Sequence, residues 1–257
     1  MIEIFHGSNI DWLGKRKLFL AISGFVMFLG LISLVAKKGF VYGVDFRGGT
    51  KIQVRFNQKP EIDKIRQLLR DNGAEGSEIQ ERVGTNEVII DFQGAKAEDA
   101  SAGRGIILTA LNKAYPDQFQ ILSATSIGPK VGDDLKRQAV FATLYALGGM
   151  LIYIAFRFEW IYGAAAVFAV FHDTLVTLGL FSIFNREINL TVIAALLTLV
   201  GYSMNDTIVV FDRVRENLKI RRRDDLQTIM NDSINQTLSR TILSSGLTFI
   251  TVVALFI

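Results

Sequence analysis

No cysteine occurs in the 257 residues. Disulfides and thiolate metal sites are therefore excluded, and the absence fits either side of a membrane. Proline is nearly as scarce, with three in the chain. None falls in a long apolar run, so no proline obliges those runs to kink. Charge of one sign is missing too: the net charge is only +3, with the basic residues in local clusters, so nucleic acid is not an expected partner. Metal-ligand spacings and nucleophile–base arrangements are absent. The glycines of Gly43 to Gly49 lack the Lys-Ser/Thr of a phosphate loop and do not open a helix. Nothing here can hydrolyse ATP. No enzymatic activity, metal or cofactor is expected, and an ion gradient is the natural source of any energy, with protons as the coupling ion.

What is abundant is apolar sequence: half of the residues are hydrophobic, and they come in blocks. The run 18–36 is uncharged and long enough to span a bilayer. The basic Lys15-Arg16-Lys17 ahead of it gives it the look of a signal peptide. No small-x-small cleavage site precedes Lys37-Lys38, however, so a retained anchor is expected. Further spans read at 139–156, 160–184, 188–211 and 241–257, and the sequence stops in or just after the fifth. Short polar links at Arg157-Phe-Glu159 and Asn185-Arg-Glu187 join the middle three. Residues 1–17 form a short lead with Trp12 suited to an interface. Residues 212–240 read as a basic loop followed by a polar, surface-lying helix from 224 to 236.

Between the first two spans, 37–138 is mixed, charged and periodic, as a folded water-soluble domain should be. Strand character runs over 41–56, interrupted by a turn or bulge at Arg47-Gly48-Gly49. Ile62, Ile65, Leu68 and Leu69 recur at helical spacing between Pro60 and Gly73. Strands at 78–83 and 87–92, a helix at 97–114 weakened by Gly103 and Gly105, and a strand at 119–127 complete the order β-α-β-β-α-β. That order predicts a ferredoxin-like split βαβ domain. The fold class is thus an α-helical polytopic membrane protein with one inserted α+β domain.

Orientation follows from the short basic segments. Lys15-Arg16-Lys17 and the group Arg213, Arg215, Lys219, Arg221, Arg222 and Arg223 belong on the cytoplasmic side. Five alternating spans put Arg157 there too and send the soluble domain across the membrane.

Against this background Asp206 stands out, because it interrupts an otherwise apolar span. A carboxyl group there costs a few kcal/mol on insertion scales, and such residues often mark ion or proton paths. It lies six residues, ~9 Å, from Asp212 at the cytoplasmic end. Arg240 opens the fifth span from the same side, where it reads equally well as a partner that tunes the acid or as a snorkelling helix-end arginine. Ser203, Asn205, Thr207, Thr237 and Ser239 are candidates to solvate a path. Asp206 has a structural alternative as an interhelical hydrogen bond, a role that Asn would also fill. His172 and Asp173, ~20 Å into the third span, are secondary candidates. As adjacent helical residues they face different ways and need not act together.

Three segments resemble signatures of the SecD/SecF family of protein-export membrane proteins. They are Gly43-Val-Asp-Phe-Arg-Gly-Gly-Thr50 after the first span, Ile127-Gly-Pro-Lys-Val-Gly132 before the second, and Gly201-Tyr-Ser-Met-Asn-Asp-Thr-Ile-Val-Val-Phe-Asp-Arg213 in the fourth. The likeness covers essentially the whole chain, and its single modest outer domain is similar to the SecF branch rather than the larger SecD. The resemblance implies the resistance-nodulation-division superfamily, six spans where five are visible, and a bacterial inner-membrane location with the soluble domain periplasmic. It also implies partnership with SecD, the SecYEG channel and translocating preprotein, with the proton-motive force driving late export. By matched motif, Asp206 corresponds to the family's proton-carrying aspartate and Arg240 to its functional arginine. Asp45, Phe46, Arg47, Gly48 and Gly49 correspond to its structural signature. Two rivals stand beside this reading: a proton-coupled transporter of small molecules or lipids, and a scaffold subunit with no energetic role.

Overall fold

The uncharged run behind Lys15 winds into helix α1 (Arg16–Ala36). The computed structural model describes residues 9–82, 84–92, 100–157 and 160–256. Parts of the expected lead, of the strand ending at residue 83, of the helix starting at 97 and of the link 157–159 lie outside these. After α1 come a single helical turn α2 (Val44–Arg47), strand β1 (Gly49–Phe56), α3 (Ile62–Asp71), β2 (Glu78–Glu81), β3 (Glu87–Phe92), α4 (Ala100–Ala114) and β4 (Phe119–Ile127). Four long helices follow: α5 (Pro129–Arg157), α6 (Trp160–Ile183), α7 (Leu190–Ile220) and α8 (Leu226–Phe256). The chain divides into two compact units. One is Met1–Phe40 with Tyr145–Arg186 and Ala194–Ile257, the other Val41–Leu144 with Glu187–Ile193.

In the second unit the strands form one antiparallel sheet in the order β2-β3-β1-β4, the ferredoxin-like arrangement expected from the element order. Alternation decides its faces. Ile52, Val54 and Phe56 of β1 and Val88, Ile90 and Phe92 of β3 turn inward, where they meet Ile65 and Leu69 of α3 and Ile107, Ala110 and Leu111 of α4. Gly103, which weakens α4 as a helix, has a packing reason. A Cβ there would stand 2.9 Å from Thr50 Oγ1 and 3.1 Å from the Phe92 ring. The interruption of the first strand is more than a bulge: it is the helical turn α2, closed by Gly48 at φ +77°.

Among the described residues, five helices are long and apolar enough to cross a membrane: α1, α5, α6, α7 and α8. Large apolar side chains such as Phe28, Phe168 and Leu247 are exposed on them, as lipid-facing helices require. Where side chains are withdrawn, they are so against neighbouring helices: Ile154 of α5, Ala166 and Val170 of α6, and Val200 and Met204 of α7 form a small buried cluster. Helices α1 and α6 approach most closely at glycine. A Cβ on Gly30 would lie 2.5 Å from Gly179 Cα. One turn on, Ser182 Oγ donates to Ser33 Oγ at 3.0 Å, and Lys37 Nζ donates to the Ser182 carbonyl.

The helices overrun the apolar sequence. Helix α5 begins at Pro129 rather than at residue 139, with proline in the first turn, where its missing N–H costs nothing. The polar stretch after residue 212 is no separate surface helix. It is the end of α7 and the beginning of α8, with only 221–225 between them. A 31-residue helix is ~46 Å long, against ~30 Å of hydrocarbon, so the surplus turns pair in water. There Asn217 Nδ2 donates to Ser233 Oγ at 2.8 Å and to Gln236 Oε1 at 3.0 Å, while Arg221 bridges Asp224 and Asp232. The lead joins the same end. The Trp12 N–H donates to Asn231 Oδ1 at 2.8 Å, its indole N–H and the Ile10 N–H donate to Asn235 Oδ1, and both asparagine amides donate to the Ile10 carbonyl. Arg157 and Asp212, expected on one side of the membrane, form an ion pair at 3.3 Å.

Candidate functional site

Helix α7 places a half-buried carboxylate against α8. Asp206 Oδ1 accepts from Ser244 Oγ at 3.3 Å and Oδ2 accepts from Ser245 Oγ at 3.1 Å. These are charge-assisted contacts in apolar surroundings, where a carboxylate without donors is most costly. Neither serine is among the sequence candidates. The available signal is two adjacent hydroxyls one turn past Arg240 in an otherwise apolar run.

Arg240 itself is exposed and, among the described residues, forms no ion pair. The structure thus does not bring Asp206 and Arg240 together. Ser244 and Ser245 lie four and five residues further along α8, ~6–8 Å deeper along its axis, and they hold the carboxylate instead.

The secondary candidates divide. Asp173 on α6 accepts from Ser203 Oγ of α7 at 2.6 Å through Oδ2, and its Oδ1 lies 3.1 Å from His172 Nδ1. Adjacent helical residues need not act together, yet here the imidazole folds back onto the neighbouring carboxylate. Among the described residues, the buried His172 Nε2 has no hydrogen-bond partner. Ser203 precedes Asp206 by three residues, so both acids address the same side of α7, one turn apart. Thr207 spends its hydroxyl on the Ser203 carbonyl at 2.8 Å, and Asn205 is exposed. The arrangement is a polar track carried by α6, α7 and α8, with Asp173–Ser203 at one level and Asp206–Ser244/Ser245 at the next.

The glycine-rich signature has a separate role in the second unit. Asp45 Oδ2 accepts the Leu190 N–H at 2.9 Å, and Asn189 Oδ1 accepts the Val192 N–H at 2.9 Å. Together they cap the first turn of α7, the helix that carries Asp206, and a carboxylate is well matched to that end of the helix dipole. Phe46 is buried and meets Tyr42 edge-on, with ring centroids 6.1 Å apart, whereas Arg47 is exposed. Gly48 lies so close to the start of α5 that a Cβ would be 2.9 Å from Pro129 Cα; one on Gly132 would be 3.1 Å from the Gly48 nitrogen. Gly48 and Gly132 therefore serve one tight backbone crossing. Asp45→Ala is expected to cost about 1 kcal/mol at this helix start, read as faster hydrogen exchange at Leu190.

Comparison with known proteins gives a consistent answer. Residues 107–257 match the family model of the C-terminal region of the protein export membrane proteins SecD/SecF, and residues 33–60 match the SecD/SecF GG motif. The protein translocase subunit SecF of Calditerrivibrio nitroreducens is 43% identical over 97% of this chain and 83% of its own length. That of Koribacter versatilis is 40% identical over 100% of this chain and 85% of its own. A crystal structure of SecDF from Thermus thermophilus, described as a translocon-associated membrane protein, matches with a TM-score of 0.84 at 35% identity. The match covers 97% of this chain but only 34% of the SecDF chain, so this chain spans about a third of that protein.

Proposed function

This chain belongs to the SecD/SecF family of protein-export membrane proteins, and we propose that it couples proton movement past Asp206 to late-stage preprotein export. The observation that carries the reading is an ionisable carboxylate within a membrane-spanning helix, solvated across the helix interface by Ser244 and Ser245. Its working partners in this reading are SecD, which supplies the matching half, the SecYEG channel and the emerging preprotein. The location is the bacterial inner membrane, with the soluble domain on the periplasmic side.

Protonation of Asp206 from the outer side turns a strong acceptor of two hydroxyls into a weak one. The α7–α8 contact then shifts, and α7 carries the shift to its outer end at Asp45. A ligand biases only an equilibrium whose states it binds unequally, and the proton is that ligand here. Each proton crossing ~100 mV supplies about 2.3 kcal/mol, sufficient to bias two packings of a helix pair.

The test is the rate of the late export step in membranes containing the native complex, with the proton gradient intact or collapsed by an uncoupler once the ATP-driven step is over. The rate is expected to fall on collapse; an unchanged rate overturns the reading. One observation favours a second reading, the scaffold subunit. Two serines on one carboxylate are also what a static interhelical hydrogen bond looks like.

A further inference from the structure

The soluble unit includes a segment that lies far from it in sequence, the strap Glu187–Ile193 between α6 and α7. The strap is tied to the sheet-bearing unit at several points. Ile188 donates its N–H to the Val41 carbonyl at 2.7 Å, and its own carbonyl accepts the Gly43 N–H at 3.0 Å. Asp45 holds the Leu190 N–H. The remaining tie is ionic: Glu187 Oε2 lies 3.3 Å from Lys51 Nζ.

That lysine is shared. On the sheet face turned away from the helices, Lys51 of β1 stands opposite Asp91 of β3, and Asp91 stands opposite Glu78 of β2. Lys51 Nζ is 3.6 Å from Asp91 Oδ2. The charged groups facing Asp91 are Glu187 from the strap, Lys51 from β1 and Glu78 from β2, so three carboxylates converge on one ammonium. Asp91 is 7% exposed, and its Oδ1 is buried with no hydrogen-bond partner among the described residues. Glu87, further along the same strand, is the contrast. Hydrogen bonds from Arg55, Arg82 and Gln53 hold its carboxyl below the usual range. Among the described residues, Asp91 has Lys51 as its one cationic neighbour.

We propose that the strap 187–193 is a proton-operated latch, closed when the Asp91–Glu187–Glu78 cluster takes up a proton and loosened when all three carboxylates are ionised against Lys51. An ionised buried oxygen with no donor is costly, and like charges at this spacing repel. A proton on Asp91 removes both penalties and leaves Lys51 to Glu187. Burial first, and then the Glu187 charge, push the Asp91 carboxyl up to about 6; burial and Glu187 also raise Glu78. The sign follows. A carboxyl whose value is higher in the closed state stabilises that state in acid, and the contribution is lost as pH rises through about 6.

The test is hydrogen exchange on the full-length chain in lipid nanodiscs, followed at peptides covering 187–193 between pH 5 and 7.5 and expressed as protection factors. Protection of the strap is expected to be roughly tenfold greater at pH 5 than at pH 7.5, the ratio for one carboxyl displaced to about 6. Asp91→Asn should give high protection that no longer varies with pH, and Glu187→Gln should flatten the slope while leaving the sheet protected. A native strap whose protection ignores pH overturns the proposal. So does a rise that β1 and β3 share equally, because the proton would then stabilise the whole domain. The readout is local and independent of export, so it stands or falls apart from the role proposed for Asp206.

Discussion

Asp206→Asn will abolish the gradient-stimulated part of late export while the complex still assembles. Asparagine keeps the shape of aspartate and a side-chain oxygen that accepts a serine hydroxyl, so the α7–α8 contact survives in weakened form. Exchanging a charged acceptor for a neutral one costs about 1 kcal/mol of hydrogen bonding, partly offset because no charge is then held in the membrane. What asparagine cannot do is gain and lose a proton. Export driven by ATP alone should therefore continue, and addition of a gradient should add nothing. Ser244→Ala combined with Ser245→Ala keeps the carboxylate but removes both donors. It is expected to lower the stimulation rather than eliminate it. Arg240→Lys, which preserves the charge without the fork of donors, probes whether the arginine meets Asp206 at another stage of the cycle. If Asp206→Asn leaves stimulation whole, the carboxylate is an interhelical tie and the scaffold reading takes over.

The second large effect is steric. Gly30→Val will separate α1 from α6, because the first added carbon already falls 2.5 Å from Gly179 Cα, on a backbone that has nowhere to retreat. Membrane helices gain their affinity from close backbone approach at small residues, and the Ser33–Ser182 and Lys37–Ser182 bonds hang on that approach. Overpacking alone costs 1–3 kcal/mol or so, and loss of these bonds adds to it. The expected readout is increased protease access at the α1 junction and reduced recovery of assembled complex. The contact is asymmetric, which sharpens the test. A Cβ on Gly179 would sit 3.3 Å from Gly30 Cα, so Gly179→Ala should be milder than Gly30→Ala. Gly24, with nothing within 4 Å of its would-be Cβ, should accept alanine without loss.

These two sites differ in how far the sequence announces them. Asp206 is legible because a carboxylate in an apolar run is physically expensive wherever the run ends up. The spans, and the βαββαβ order between them, are legible for a similar reason: apolar length and alternation state directly what must be buried. Helix ends are less so. Hydrophobicity marks contact with lipid, whereas the backbone of α5, α7 and α8 stays helical past that boundary, since charged residues suit a helix in water equally well. Ser244 and Ser245 are hidden because a hydroxyl in a helix ordinarily bonds its own backbone, as Thr207 and Thr248 do and as Ser244 itself also does at the Thr241 carbonyl. Only the facing of α7 and α8 tells them apart. The Asp45 cap was hidden by distance, its partner lying 145 residues away. The closeness of Gly30 to Gly179 joins two spans that no local pattern pairs.

The clamp of Ile10 and Trp12 on Asn231 and Asn235 bears on the making of the protein. Its halves are separated by up to 225 positions, which at ~5–20 residues per second is on the order of ten to forty seconds of translation. Throughout that interval the lead has emerged and its acceptors have not. The indole of Trp12 must wait at the membrane surface until the fifth helix supplies Asn235, so docking of the lead follows synthesis of the four preceding spans. A nascent chain released before Asn235 leaves the Trp12 indole N–H without this acceptor.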